Sequence, residues 1–327
     1  FSGLDRALGA SFYDASNGGS GWLYANLFWL MGHPEVYVIL LPALVALLEI
    51  VPVFTRSPLF SFNSAVAGII GISGLSILVW AHHMYVSGWA PNLNGPFMLT
   101  TEIISIPTGI LFLVFIGTIW RGSIWVRLPM IAVYAVIWNF LIGGITGIYL
   151  SDVPADMALH GSMYVTAHFH YTLMGAGLTG MIGATAYWFP KMTGRMLNEK
   201  VATPAFLVMQ GGFQVTFFGM FLVGLEGQPR RVALYDALFE NGNLISTIGA
   251  YTIFTGAIMM LITIIDSWRF GEIAPANPWK AQTLEWKVPN PVPLENFTVL
   301  PVVTSDPYQF GKATSYDARP EKERVEA

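Results

Sequence analysis

Apolar residues dominate seven long blocks of the chain, roughly 26–50, 64–87, 97–120, 128–150, 162–188, 202–224 and 244–268. Each is at least as long as the about 20 residues that an α-helix needs to cross the hydrocarbon core of a bilayer. Short polar, glycine- and proline-containing segments separate them. The pattern predicts an all-α fold: a polytopic bundle of seven transmembrane helices. Residues 1–25 read as a lead-in on the outer side and 26–270 as the membrane domain. Residues 271–327 carry many prolines, scattered charges and no apolar run of spanning length. They read as an extended tail lying on the surface and ending in a disordered EKERVEA.

Charge fixes the orientation of this arrangement. Arg56, Arg121, Arg127, Lys191, Arg195, Lys200 and Arg269 all fall in alternate connections on one side, which the positive-inside rule makes cytoplasmic. The opposite loops SGWAPNLNGPF and SDVPADMALH have no Lys or Arg. The N-terminus is therefore expected outside and the C-terminus inside. Arg6 and the pair Arg230–Arg231 break the rule on the outer side, and a basic pair there invites a specific anionic partner. Aromatic residues near block ends, such as Trp29, Trp80, Trp89 and Trp120, read mostly as an interfacial belt. GAGLTGMIG and GGITG read as small-residue faces for close helix packing.

Composition agrees. Of 327 residues, 54% are hydrophobic and 11% charged, and the mean hydropathy is +0.55. A soluble domain carries about 25% charged residues. These values exclude a disordered chain, an ordinary soluble enzyme and, with a net charge of −4, a nucleic-acid binder. There are no cysteines, so thiolate metal sites, iron–sulfur clusters and disulfides are excluded on this chain. Any bound metal must use histidine or carboxylate. The chain begins at Phe1, which reads as a piece of a longer chain or a processed product.

The histidines supply the chemistry. His33, His82, His83, His168 and His170 fall on three predicted spans at a common depth, roughly 6–12 Å below the outer surface at 1.5 Å per residue. Polar side chains in lipid are costly, and ligation of a metal satisfies imidazole nitrogens that lipid cannot. His168 and His170 lie two residues apart and point about 200° apart, so each suits its own cofactor on opposite flanks of one helix, as axial imidazoles of two hemes do. The adjacent His82 and His83 can reach one copper. His33 and Tyr37, four residues apart, share a helix face, which places a phenol beside a third ligand. A buried carboxyl at the depth of Glu35 suits proton relay, because burial keeps it protonated until a water chain or a charge change takes the proton.

The segments GHPEVY (32–37), WAHHMYVSG (80–88), IPTG (106–109) and HFHY (168–171), with NPWKAQTLEW and NFTVLPVV in the tail, resemble subunit I of the heme–copper oxidases, the cytochrome c oxidase subunit 1 family. The resemblance covers essentially the whole chain, as the last seven of about twelve family spans. It implies that 26–270 is a heme–copper catalytic domain. His33, His82 and His83 match the copper B ligands, and Tyr37 matches the tyrosine that the family joins covalently to a copper-ligating histidine. His168 matches the axial ligand of the high-spin heme and His170 one axial ligand of the low-spin heme, both of heme a type. Glu35 matches the end of a proton-uptake path, and Arg230 and Arg231 match the heme-propionate pair. His160 and Asp156 match the outer magnesium and propionate region. The implied activity is reduction of O2 to water coupled to proton uptake and pumping, in a bacterial or archaeal inner membrane or its organellar equivalent.

The same resemblance implies partners. The second low-spin heme ligand is expected from an N-terminal half of subunit I, in the same or a separate chain. A subunit II carrying a dinuclear copper site, a subunit III and an electron donor such as cytochrome c are expected beside it. Two positions depart from the family. Leu111 stands where a lysine of a second uptake path is common, leaving Thr101 and Thr108. Glu102 is then either an outer-interface residue bonded to its neighbours or a partial substitute in proton handling. Gly161 replaces an aspartate, which takes a ligand from the magnesium site. Competing readings are a nitric oxide reductase relative, against which Tyr37 argues, a histidine-based metal or proton transporter, and an inactive oxidase remnant.

Overall fold

A computed structural model describes residues 2–120, 122–297, 301–303 and 307. Phe1, Arg121 and the EKERVEA terminus lie outside the described residues. The described chain is helical, with two isolated β-bridges and no longer strand among those residues. Five helical stretches are long and apolar enough to cross a membrane: Gly21–Thr55, Pro91–Ile119, Leu128–Ser151, Glu199–Leu225 and Ala237–Phe270.

After a short helix α1 (Ser2–Leu8), helix α2 (Gly21–Thr55) is the longest element. The Ser20 side chain accepts the amide of Leu23 to start it, and a left-handed Arg56 ends it. Pro34, Pro42 and Pro52 sit inside it. Each removes one ladder donor, a loss that membrane helices tolerate where neighbours cover the freed carbonyl.

The second apolar block is built differently from the continuous span expected over 64–87. Helix α3 (Phe62–Ser76) has 15 residues, and the chain then tightens into a 3₁₀ turn, Trp80–Met84. The cause is local. Leu78 and His82 donate three residues back, to Leu75 and Val79, while the Leu78 carbonyl accepts the Thr100 hydroxyl at 3.1 Å. A neighbouring hydroxyl thus takes the place of the next ladder amide.

The third block is two helices in series, α4 (Asn94–Ile103) and α5 (Ser105–Ile119); α6 (Leu128–Ser151) and the short α7 (Val153–Leu159) follow. The fifth block is helical throughout, yet it changes register midway. Helix α8 (Met163–Thr172) runs into a π turn, Leu173–Leu178, and continues as α9 (Thr179–Thr193). Helices α10 (Glu199–Leu225) and α11 (Glu240–Phe270) form an antiparallel pair.

Packing follows residue size. At Gly212, Gly249 and Gly256, an added Cβ would stand 2.6 Å from a backbone nitrogen of the facing helix. These glycines let α10 and α11 touch backbone to backbone, as small residues do in membrane bundles. One apolar cluster joins α2, α3, α5, α6 and α9, while a second joins α6, α9, α10 and α11.

The tail differs from the surface-lying strand expected from its composition. Trp279 and Trp286 are each 2% exposed and belong to the first cluster, beneath Phe54 and Tyr187. Trp279 donates its indole N–H to the Tyr187 carbonyl at 2.8 Å, and Lys191 donates to the Val288 carbonyl at 2.7 Å. Residues 271–297 run through turns and a short 3₁₀ helix, Leu284–Lys287, while these anchors hold them to the bundle.

Candidate metal centre

Three imidazoles meet between α2 and the 3₁₀ turn. His33 Nδ1 lies 3.2 Å from His83 Nε2, and His82 Nε2 lies 3.1 Å from the same atom. Ligating nitrogens of all three fall within 4.8 Å of one another, the one such group of His, Asp and Glu among the described residues. Two nitrogens on metal bonds of about 2.0–2.1 Å, at ligand angles of about 100–120°, stand about 3.1–3.6 Å apart. The observed spacing is that of a coordination shell.

Hydrogen bonds set the tautomer of His82. The Thr101 hydroxyl donates to the Phe97 carbonyl at 2.6 Å, so its oxygen accepts from His82 Nδ1 at 3.1 Å. Nδ1 then carries the proton and the Nε2 lone pair faces the other rings. His83 is held by stacking on Trp29, with ring centroids 3.7 Å apart. Trp29, His33 and Tyr37 recur every four residues on α2, so one face of the helix carries all three. The Tyr37 ring lies 4.8 Å from that of His33, and His33 Nε2 is buried with no hydrogen-bond partner.

His168 and His170 turn to different neighbours. His168 Nδ1 donates to the Gly143 carbonyl at 3.0 Å and lies 3.2 Å from the Thr146 hydroxyl, both on α6. A Cβ at Gly147 would come within 2.8 Å of its ring, so glycine there makes room for it. His170 Nδ1 donates to the Thr166 carbonyl at 2.8 Å, and its ring stacks on Phe217 of α10 at 4.3 Å. In both rings a carbonyl fixes the proton on Nδ1 and leaves Nε2 as a lone-pair donor. Axial iron ligation requires that state, so the donor set fits two hemes.

The remaining candidates are scattered around this centre. Glu35 lies two positions beyond His33, turns away from it and is exposed, with Met31 and Val38. The buried relay acid expected there is not formed by the described residues. Thr101 contacts His82 directly. Thr108 and Glu102 are half-buried; the Thr108 hydroxyl donates to the Ile104 carbonyl at 2.8 Å, and the Glu102 backbone carbonyl accepts from Ser105 at 2.6 Å. Leu111 is 1% exposed in the first apolar cluster, packed on Gly68.

On the other loop, the buried Asp156 carboxylate meets His160 Nδ1 at 2.9 Å. No third His, Asp or Glu joins them as a metal group among the described residues. Gly161, with φ +75°, turns the chain so that its carbonyl accepts the Arg230 amide at 2.8 Å. Arg230 is half-buried and Arg231 exposed. Burial, then the charge of Arg231, lowers the pKa of Arg230, and Asp156 opposes them.

Sequence reasoning left Trp29 in a generic belt and missed a polar group on α6, α9 and α10. The signal for Trp29 was its spacing of four from His33. For the polar group it was the uncharged amides Asn139, Gln210 and Gln214 within apolar blocks.

Comparison with known proteins gives the family. The family model described as Cytochrome C and Quinol oxidase polypeptide I matches residues 1–252. Cytochrome c oxidase subunit 1 of Thermostichus vulcanus is 40% identical over 308 residues, covering 94% of this chain and 56% of the relative. The Bacillus subtilis protein of that name is 38% identical over 327 residues, covering 99% and 53%. The chain thus spans about half the length of the curated relatives it matches. A cryo-EM structure of a heme–copper terminal oxidase dimer shares the fold, with a TM-score of 0.72 at 22% identity over 77% of this chain and 50% of that one. This chain is an integral membrane protein of the cytochrome c and quinol oxidase polypeptide I family.

Proposed function

We propose that this chain forms the dioxygen-reducing centre of a proton-translocating terminal oxidase, with His33, His82 and His83 holding copper B. The convergence of three imidazole nitrogens at 3.1–3.2 Å is the observation that carries the reading. His168 holds the high-spin heme and His170 one side of the low-spin heme. When bound, the copper and the heme irons, with hemes of a type, would bind O2 and pass it the donor's electrons for reduction to water.

The chain's own residues supply position and protons. Thr101 and Trp29 orient two of the copper-ligating rings. Tyr37 stands beside His33, whose Nε2 has no other partner, and this adjacency supports a covalent link and a role as proton donor. It also favours an oxidase over a nitric oxide reductase. Arg230 and Arg231, held over the outer end of α8, take the propionates. Glu35 acts in proton uptake once the rest of the assembly covers its exposed face. Thr101, Thr108 and Glu102 belong to the second uptake region, and Asp156 with His160 to the outer propionate and magnesium region.

The seven helical blocks all cross a bacterial membrane, N-terminus outside, with the 15-residue α3 completed by its 3₁₀ turn. The six histidines leave none for the second low-spin ligand, so it comes from the other half of subunit I. Subunits II and III complete the complex, and the cysteines of a dinuclear copper entry site lie on subunit II. Cytochrome c or another donor supplies the electrons.

A reduced-minus-oxidised spectrum of the purified complex with carbon monoxide, together with copper analysis, tests the proposal. The expected result is one ligand-binding high-spin heme, one low-spin heme, and copper that is lost in His83→Ala. A complex without a carbon monoxide-binding heme contradicts it.

A further inference from the structure

A chain of hydrogen bonds joins four helices just beyond the two heme-facing imidazoles. Tyr171 donates its hydroxyl to Gln214 Oε1 at 2.9 Å, and Gln214 Nε2 donates to Asn139 Oδ1 at 2.6 Å. Asn139 Nδ2 donates to Gln210 Oε1 at 3.0 Å, and Gln210 Nε2 to the Thr179 hydroxyl at 2.9 Å. Thr179 ends the chain on the Met174 carbonyl at 3.1 Å. Every donor points the same way, from α8 through α10 and α6 to α9, so each bond polarises the next. Asn139 is the hub. It is 0% exposed and also donates to the Gly175 carbonyl at 2.9 Å.

Both carbonyls reached by this network, Met174 and Gly175, belong to the π turn Leu173–Leu178. A π turn inserts one residue into the helical register, which rotates the preceding segment by about 100° relative to an uninterrupted helix. Helix α9 is fixed independently: a Cβ at Gly180 or Gly183 would strike Ala43 of α2 at 3.0 Å or Ala132 of α6 at 2.7 Å. With α9 pinned, the presence of the π turn decides where His168 and His170 point. Removing the inserted residue would turn His168 away from Gly143 and Thr146.

We propose that Asn139, with Gln210, Gln214 and Tyr171, is a positioning device that holds the π turn and thereby aims the two heme-ligating imidazoles. The inference rests on the assignment of His168 and His170 as heme ligands. Amide groups do not release protons in this range, so the network orients and does not relay. Its partners are all used within the chain, which is what a buried polar group in an apolar surround requires.

The test compares Asn139→Leu and Tyr171→Phe with the wild-type oxidase complex. Electron paramagnetic resonance reads the low-spin heme, and hydrogen exchange reads residues 173–179. In N139L the low-spin signal should broaden, with part of it converting to high-spin, and exchange should quicken on the order of tenfold or more as buried bonds are lost. Y171F removes only the first link and should give a smaller change of the same kind at normal heme content. It carries the test alone if N139L does not assemble. A wild-type low-spin signal unchanged in the variants overturns this inference alone, because a purely structural network would alter stability and not ligation. A wild-type complex without a histidine-ligated low-spin heme overturns the functional reading, and this inference with it.

Discussion

The imidazole cluster depends on groups that never touch the metal. His82 presents Nε2 because Thr101 holds its Nδ1 proton, and Thr101 can accept that proton because its own hydroxyl is committed to the Phe97 carbonyl. Removal of such an outer partner commonly lowers metal affinity by about 10–100-fold. Thr101→Val, which keeps the shape, is therefore expected to lose copper about 10–100 times more readily to a competing chelator, with heme content unchanged. Equal copper retention would remove Thr101 from this role. The histidines themselves were legible, because six imidazoles in a chain of 327 apolar-rich residues stand out and their spacings are fixed by helix geometry. The outer partners were not. Thr101 read as part of a proton path and Trp29 as a belt residue, since one sequence does not show which helix faces which. Glu35 was expected in a buried site, yet its angular offset from His33 leaves it on an open face of α2.

At the scale of elements, the apolar blocks located the long helices but not the short α1 and α7 between them, and they concealed irregularity within the blocks. The break after Ser76 and the π turn at Leu173–Leu178 both depend on side-chain bonds from another helix, Thr100 in one case and Asn139 in the other. Apolar periodicity carries no record of such bonds. The α10–α11 contact is similar: the glycines were visible, but their pairing needs the facing helix. Gly249→Leu should separate this pair, because its Cβ would meet the Thr216 amide nitrogen at 2.6 Å and the Thr216 hydroxyl would also be displaced. Overpacking of this kind costs about 1–3 kcal/mol or more, measurable as a lower midpoint in thermal unfolding of the purified complex. An unchanged midpoint would show that α11 moves freely.

The tail is a second case, since composition favoured a surface segment and two tryptophans bury it. Burial lowers the pKa of Lys191 to about 8, with Glu285 opposing. The undocked tail leaves this lysine near its ordinary value of about 10.4. Between those values the undocked form binds more protons, so docking strengthens as pH rises from about 8 toward 10 and is level below that window. Limited proteolysis after residue 271 should accordingly slow between pH 8 and 10 in wild type and lose this dependence in Lys191→Met. Faster cleavage at pH 10 would contradict the assignment.

For the whole molecule, one face of the bundle stands open among the described residues. The chain covers 56% or less of each of the two relatives described, and apolar side chains such as Met31, at 70% exposed, lie on the open face of α2. Family membership was readable from four short motifs, because each brings a ligand type together with its helical neighbours. The metal-ready arrangement of their side chains is what the structure adds. Copper-edge X-ray absorption on the purified complex tests that arrangement most directly. Beside the dinuclear copper of subunit II, the account predicts one further copper with three imidazole nitrogens at about 2.0 Å, one of them lost in His33→Ala. A complex with no copper beyond the dinuclear site, or with that further copper surrounded by ligands other than imidazole, would contradict it.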